Sequence, residues 1–225
     1  MDEPTGPRTS EPDRERRPDM PKQVDHVSRR RQIAEAVCRL ADERGLEGVT
    51  LRDVAARAQV SMGAVQRCFA TKEEMLVFAL GQIGERIGER VRARLIAGPA
   101  QSAGTELGHA VTEIALLDRE HRAEARVWLA FVAQAAVSDA LAEPLRVNYT
   151  ALQEAFTHLV TAAAADRPTT DRAAPLDPQR EARALLALAD GLTTHVLIGH
   201  LTPDQARDVL HTHLENLWHR PSRTD

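Results

Sequence analysis

The chain has 225 residues, 43% hydrophobic and 28% charged, enough to bury a core in one or two domains, and its net charge of -4 offers no global basic face to nucleic acid. Its longest apolar stretches, such as residues 128–137 with Gln134 inside, fall well short of the roughly 20 residues of a membrane-spanning helix, so no membrane partner is expected. Only two cysteines, Cys38 and Cys68, occur, without metal or redox spacing, and the N-terminal residues carry no apolar signal core, so a reducing cytoplasm is the expected compartment.

Residues 1–28 hold five of the twelve prolines (Pro4, Pro7, Pro12, Pro18 and Pro21) and no aromatic residue, so they cannot bury enough apolar surface to offset ordering. A disordered arm is expected over residues 1–27, followed by a small helical domain over 28–75, a bundle over 76–220 and a tail over 221–225. From Ser28 onward apolar residues recur every three or four positions and no alternating run asks to be a strand, so the chain reads as all-α with about nine helices.

The first helix, about His26 to Arg44, presents Ile33, Ala34, Val37, Leu40 and Ala41 on one face and stops at Gly45, a residue suited to a left-handed cap. Thr50 caps a short helix carrying Leu51, Val54, Ala55 and Ala58, and Ser61 caps a second one carrying Val65 and Phe69. Thr71-Lys-Glu-Glu74 reads as a capping box and opens a long helix to about Ala97, in which Gly81, Gly84 and Gly88 share a face and call for a closely packed backbone. Five more helices are expected at 103–118, 120–137, 139–165, 178–199 and 203–219, the last two opened by Asp177-Pro178 and by Thr202-Pro203-Asp204-Gln205.

The two short helices have the length and tight turn of a helix-turn-helix, whose second helix enters the major groove by its N-terminal residues. Its exposed positions are expected to be Met62, Gly63, Ala64, Gln66, Arg67 and also Cys68. Gln66 suits adenine and Arg67 guanine, Met62 and Ala64 suit a thymine methyl, and Gly63 permits close approach. Arg52, Thr50, Ser61, Lys72 and the arginines Arg29 and Arg30 are expected at phosphates, or for Arg52 at a base edge.

Residues 29–80, RRRQIAEAVCRLADERGLEGVTLRDVAARAQVSMGAVQRCFATKEEMLVFAL, resemble the N-terminal domain of TetR-family transcriptional regulators. Ile33, Gly45, Thr50, Val54, Ala55, Val60, Ser61, Gly63, Phe69, Lys72 and Met75 fall where that family's pattern expects such residues. The resemblance implies a homodimeric, usually repressing protein on double-stranded operator DNA, released when its C-terminal bundle takes up a small ligand. The sequence departs from the family at VQRCF, where Gln66 and Cys68 stand in place of the usual tyrosines. ADGLTTHVLIGHLTPDQARDVLHTHLENLW is similar to the last helices of BetI-like members, which implies dimerisation through helices 178–199 and 203–219. The apolar stripe Leu185, Leu188, Ala189, Leu192, Val196 and Gly199, with Val209, Leu210, Leu214 and Leu217, agrees with that interface.

Trp128, Phe131, Tyr149 and Phe156 fall in the two helices expected to wall the bundle cavity, with Gln134, Asn148, Gln153 and His195 as polar groups to orient a small, mostly apolar organic ligand. His211, Glu215 and His219 share one helix face but read as packing at a helix end, so no metal and no cofactor is expected. No Ser-His constellation and no pair of Glu-x-x-His motifs supports an enzyme. The rival reading is a protein-interaction adaptor that keeps the fold without specific DNA binding.

Overall fold

The computed structural model describes residues 22–97, 102–166 and 176–218. Among these residues the chain forms nine α-helices and no strand: α1 (Lys22–Arg44), α2 (Leu51–Arg57), α3 (Met62–Cys68), α4 (Lys72–Ala97), α5 (Ala103–Ile114), α6 (Arg122–Ala135), α7 (Asp139–Ala165), α8 (Pro178–Leu197) and α9 (Pro203–Leu217). The all-α expectation holds. α1 already runs through residues 22–27, which were expected to belong to the N-terminal arm, and positions 1–21 lie outside the described residues. Every proline of that stretch lies at or before position 21, so nothing after it breaks a helix.

Helix starts follow the local chemistry. Ser61 Oγ accepts from the Ala64 amide at 3.1 Å and Asp177 Oδ1 accepts from the Gln179 and Arg180 amides at 3.1 and 3.2 Å. At α9 the full capping box forms, with Thr202 Oγ1 accepting from Gln205 N at 3.2 Å and Gln205 Oε1 accepting from Thr202 N at 2.9 Å. Gly45, with φ at +73°, ends α1 as expected. The helix expected over 103–118 stops at Ile114 because Leu116 turns left-handed, φ +48°, and a 3-10 turn at Arg119–His121 then leads into α6.

Two apolar cores form, and they do not divide at residue 75. The first joins Ile33, Val37 and Leu40 of α1 to Val54, Val65, Met75 and Ile83, and also to Trp128 and Phe131 of α6 and Leu141 and Leu145 of α7. The second gathers Leu107 and Val111 of α5, Phe156 and Val160 of α7, Leu185 and Leu192 of α8, and Leu210 and Leu217 of α9. Tyr149 and Ile114 pack against both cores. The glycines of α4 are not the close backbone contact expected of them. A Cβ at Gly81 or Gly88 would meet nothing within 4 Å, and one at Gly84 would lie 3.1 Å from Nδ2 of Asn148, a side chain of α7.

Along the next turns of α4, arginines meet carboxylates from α5 and α6. Glu113, only 2% exposed, accepts from Arg90 Nε at 3.2 Å and pairs with Arg94. Glu124 accepts from Arg86 Nε at 3.3 Å and from Arg90 Nη2 at 2.7 Å. Each carboxylate therefore has two guanidinium partners, which compensates the cost of burying it. Glu113→Ala would leave these cations facing a void, and a loss of about 3 kcal/mol is expected in urea unfolding, where an unchanged midpoint would refute the role.

Candidate nucleic-acid interface

The helix-turn-helix is α2 and α3, joined through residues 58–61. Its turn is closed by backbone bonds, Val60 N to Ala55 O at 3.0 Å and Val65 N to Ser61 O at 3.2 Å, and Gln59 takes the left-handed conformation with φ at +55°. Gln32 of α1 donates from Nε2 to the Ala58 carbonyl at 2.7 Å and so anchors the end of α2 to the first helix.

α3 has only seven residues, too few to hold a helix in water without tertiary contacts. Ala64, Val65 and Cys68, at helical spacing, form its buried face against α1 and α2, which leaves Met62, Gln66 and Arg67 exposed and Gly63 half-buried. This corrects two expectations. Ala64, 6% exposed, turns into the core and not toward a thymine methyl, and Cys68, 5% exposed, is a core thiol and not an open one.

The basic residues expected at DNA divide into two groups. Arg52 and Arg67 are exposed, Lys72 is half-buried at the start of α4, and no ion pair occupies any of the three. Arg29 is half-buried. Arg30 differs, because its guanidinium lies 4.4 Å from the Phe69 ring centroid and 4.6 Å from that of Phe78 and reaches Glu74 Oε1 at 3.2 Å. Its charge is spent inside the protein, contrary to the expectation of a phosphate contact. Glu74 also receives the Thr71 cap through its own amide, at 3.0 Å, but its carboxylate reaches back to the Ala70 amide at 2.8 Å, one residue further than a capping box. Thr50 likewise is spent as a cap: its hydroxyl accepts from Asp53 N at 3.2 Å and donates to Asp53 Oδ2 at 2.8 Å, leaving no proton for a phosphate. Ser61 is exposed, and its oxygen caps α3.

The residues expected at a ligand do not form one group. Phe131 and Phe156, 0% and 2% exposed, belong to different cores. Gln134 and Gln153 are half-buried, and His195 is exposed, its ring edge-on to His200 at 4.9 Å. Trp128 and Tyr149 do meet, with ring centroids 5.9 Å apart, and they converge on a residue that the sequence reading missed, Asp190. Tyr149 Oη donates to Asp190 Oδ2 at 2.6 Å and Trp128 Nε1 donates to Oδ1 at 3.4 Å. Burial holds the Asp190 carboxyl above its usual range, and burial together with Asp190 raises the Tyr149 phenol. A signal was present, because Asp190 is the one acidic residue between Glu181 and Asp204 and interrupts the apolar run that starts at Ala184. Two larger clefts, of about 330 Å³ between α1, α4 and α6 and about 770 Å³ between α5 and α9, are lined by other residues. His211 pairs with Glu215 at 3.0 Å, while His219 lies outside the described residues, as do positions 1–21 and the tail 221–225.

A two-helix reader fixed on a helical bundle defines a DNA-binding regulator. Residues 33–77 match the family described as bacterial regulatory proteins, tetR family, and residues 104–219 match the BetI-type transcriptional repressor C-terminal domain. The chain is 30% identical to the HTH-type transcriptional regulator PksA of Bacillus subtilis, over 88% of this chain and 94% of that one. A transcriptional regulator of Rhodococcus sp. Rha1 is 28% identical, with a TM-score of 0.73 over 84% of this chain and 96% of that one. A transcriptional regulator of Saccharomonospora viridis in complex with choline has the same fold at 23% identity, TM-score 0.72, covering 84% of this chain and 96% of that one. The protein belongs to the TetR family of transcriptional regulators. Its relatives are regulators and not enzymes, and no described helix is long and apolar enough to cross a membrane.

The placement of Arg30 separates positioning from contact. Arg30→Ala is expected to weaken operator binding while leaving the slope of log affinity against log salt unchanged, whereas Lys72→Ala should lower that slope by about 0.9. Anisotropy titrations at several salt concentrations measure both, and an equal fall in slope for Arg30→Ala would place that residue on a phosphate.

Proposed function

We propose that the protein is a dimeric, ligand-responsive repressor acting in the cytoplasm, released from double-stranded operator DNA by a small organic ligand held in the bundle. The observation that carries the reading is the outer face of α3, where exposed Gln66 and Arg67 stand beside Met62 and Gly63 while Ala64, Val65 and Cys68 hold the helix down. In this reading Arg67 takes a guanine, Gln66 an adenine and Met62 a thymine methyl, with Arg29, Arg52, Ser61 and Lys72 at the flanking phosphates.

Dimerisation is proposed through α8 and α9, by a face that shares only Leu188 and Val209 with the stripe named from sequence. Leu185, Ala189, Leu192 and Val196 are already buried within the chain, as are Leu210 and Leu217. What α8 leaves outward is Ala184, Ala187, Leu188, Gly191, His195 and Ile198, the last 72% exposed, and α9 leaves Gln205, Val209, Thr212 and Asn216. These positions carry no formal charge over several turns, while Asp204, Arg207, Asp208 and Glu215 border them along the side of α9 that faces α5. A two-fold mate would cover such a face at little desolvation cost, and two readers would then match a palindromic site.

Selection of bound fragments from sheared genomic DNA at about 0.15 M salt tests the function, with enrichment of one palindrome as the expected result and no enrichment from folded dimer as the refuting one. On the selected site Arg67→Ala is expected to cost about 1–3 kcal/mol and to relax preference at one base pair in each half-site. Ala187→Glu should shift sedimentation from dimer to monomer without changing the helical content, and a dimer that persists would exclude this face.

A further inference from the structure

Among the described residues several partly buried carboxylates are matched by arginine: Glu113 by Arg90 and Arg94, Glu124 by Arg86 and Arg90, Asp118 by Arg94 and Arg207, Asp42 by Arg126. Asp190 has no such match. No cation among the described residues faces it, and its two partners are the neutral donors Tyr149 and Trp128. Two hydrogen bonds leave unused lone-pair positions on a carboxylate, and they leave its charge uncompensated. An amide would accept from either donor, so the hydrogen bonds alone do not require an acid here.

The setting gives that charge a use. Asp190 and Tyr149 are half-buried, so the acid is not sealed from solvent, while Trp128 beside them is 7% exposed. Trp128 and Tyr149 meet edge to face and turn their N–H and O–H groups to Asp190, which fixes the carboxylate in place. A fixed acid with free lone pairs and no counter-charge favours a positive ligand that brings N–H groups and disfavours an anion. A single carboxylate flanked by rings is also too few ligands for a metal ion.

We propose that Asp190, with Trp128 and Tyr149, is the charge-reading end of the ligand site, and that the ligand is a small protonated amine with an apolar body. An N–H cation would donate to the remaining lone pairs of Asp190, which a quaternary ammonium cannot do. The position supplies a route to DNA, because Trp128 belongs to the core that includes α1 to α4, Ala189 and Leu192 beside Asp190 belong to the core of α8 and α9, and Tyr149 packs on both. The inference deepens the ligand-responsive reading, and only its effect on DNA rests on that reading.

Titration calorimetry on the full chain without DNA tests it with four probes: hexylammonium, hexanol, hexanoate and choline. The expected result is binding of hexylammonium at least tenfold tighter than any of the others, a loss of at least tenfold for hexylammonium in Asp190→Asn, and retention of the preference for ammonium over alcohol in Asp190→Glu. Thermal melts confirm that each variant is folded, and the charge-retaining variant serves if Asp190→Asn is not. Equal binding of ammonium and alcohol, tighter binding of choline, undiminished binding by folded Asp190→Asn, or no binding by any probe would each overturn the proposal. Fragment selection without ligand is run on the same preparation. An operator found with no amine bound removes the ligand assignment alone, and an amine bound with no operator found removes the regulator reading alone.

Discussion

The guanidinium of Arg30, lying over two touching phenylalanine rings, is the contact on which the reading head depends. A seven-residue helix has no stability of its own, and α3 is held by three hydrophobic side chains from below and by this stack at its end, where Phe69 is its C-terminal cap. The stack ties three helices together at once: Arg30 comes from α1, Phe69 closes α3, and Phe78 and Glu74 come from α4. Glu74 completes the knot by holding the amide of Ala70 in the turn between α3 and α4. The orientation of Gln66 and Arg67 is therefore set by a half-buried residue of another helix. A planar cation stacked on rings is a role that a lysine would fill poorly.

Charge elsewhere follows a consistent economy. Arg86, Arg90 and Arg94 of α4 are matched by Glu113, Glu124 and Asp118, while Arg52, Arg67 and Lys72, which no ion pair occupies, lie near the reading helix. Net acidity of the whole chain is thus compatible with a basic local surface. Against this background Asp190 stands apart, an acid among rings at the seam of two cores.

Helix starts were legible in the sequence because they rest on neighbours three residues apart: Ser61, Asp177 and Thr202 cap as their spacing implies, and Gly45 closes α1. The helix-turn-helix was legible for the same reason. Which face of a helix turns inward was less so. On α3 the small Ala64 suits either the groove of DNA or a core, and only the packing against α1 decides it. On α8 apolar residues cover two sides, so Leu185 and Leu192 could not be told from Leu188 and Ile198 until the second core was seen. Arg30 was misjudged because its partners lie 39 to 48 residues away, at Phe69, Glu74 and Phe78, beyond any local pattern. Asp190 was visible as the one acid in the apolar run after Arg183, but its meaning came from Tyr149 and Trp128 on other helices.

The first core has a consequence for modularity. Trp128 and Phe131 of α6 and Leu141 and Leu145 of α7 share one apolar interior with Ile33, Val37 and Met75, although the chain between Met75 and Trp128 also serves the second core. The DNA-reading helices are thus not an autonomous cassette. Excising them after α4 would strip their floor, and grafting them onto the bundle of another regulator would set foreign side chains against α1. A transplant that respects the molecule must carry the inner faces of α6 and the start of α7 with the head, so specificity in this scaffold is re-engineered on the surface of α3 more readily than by exchange of halves.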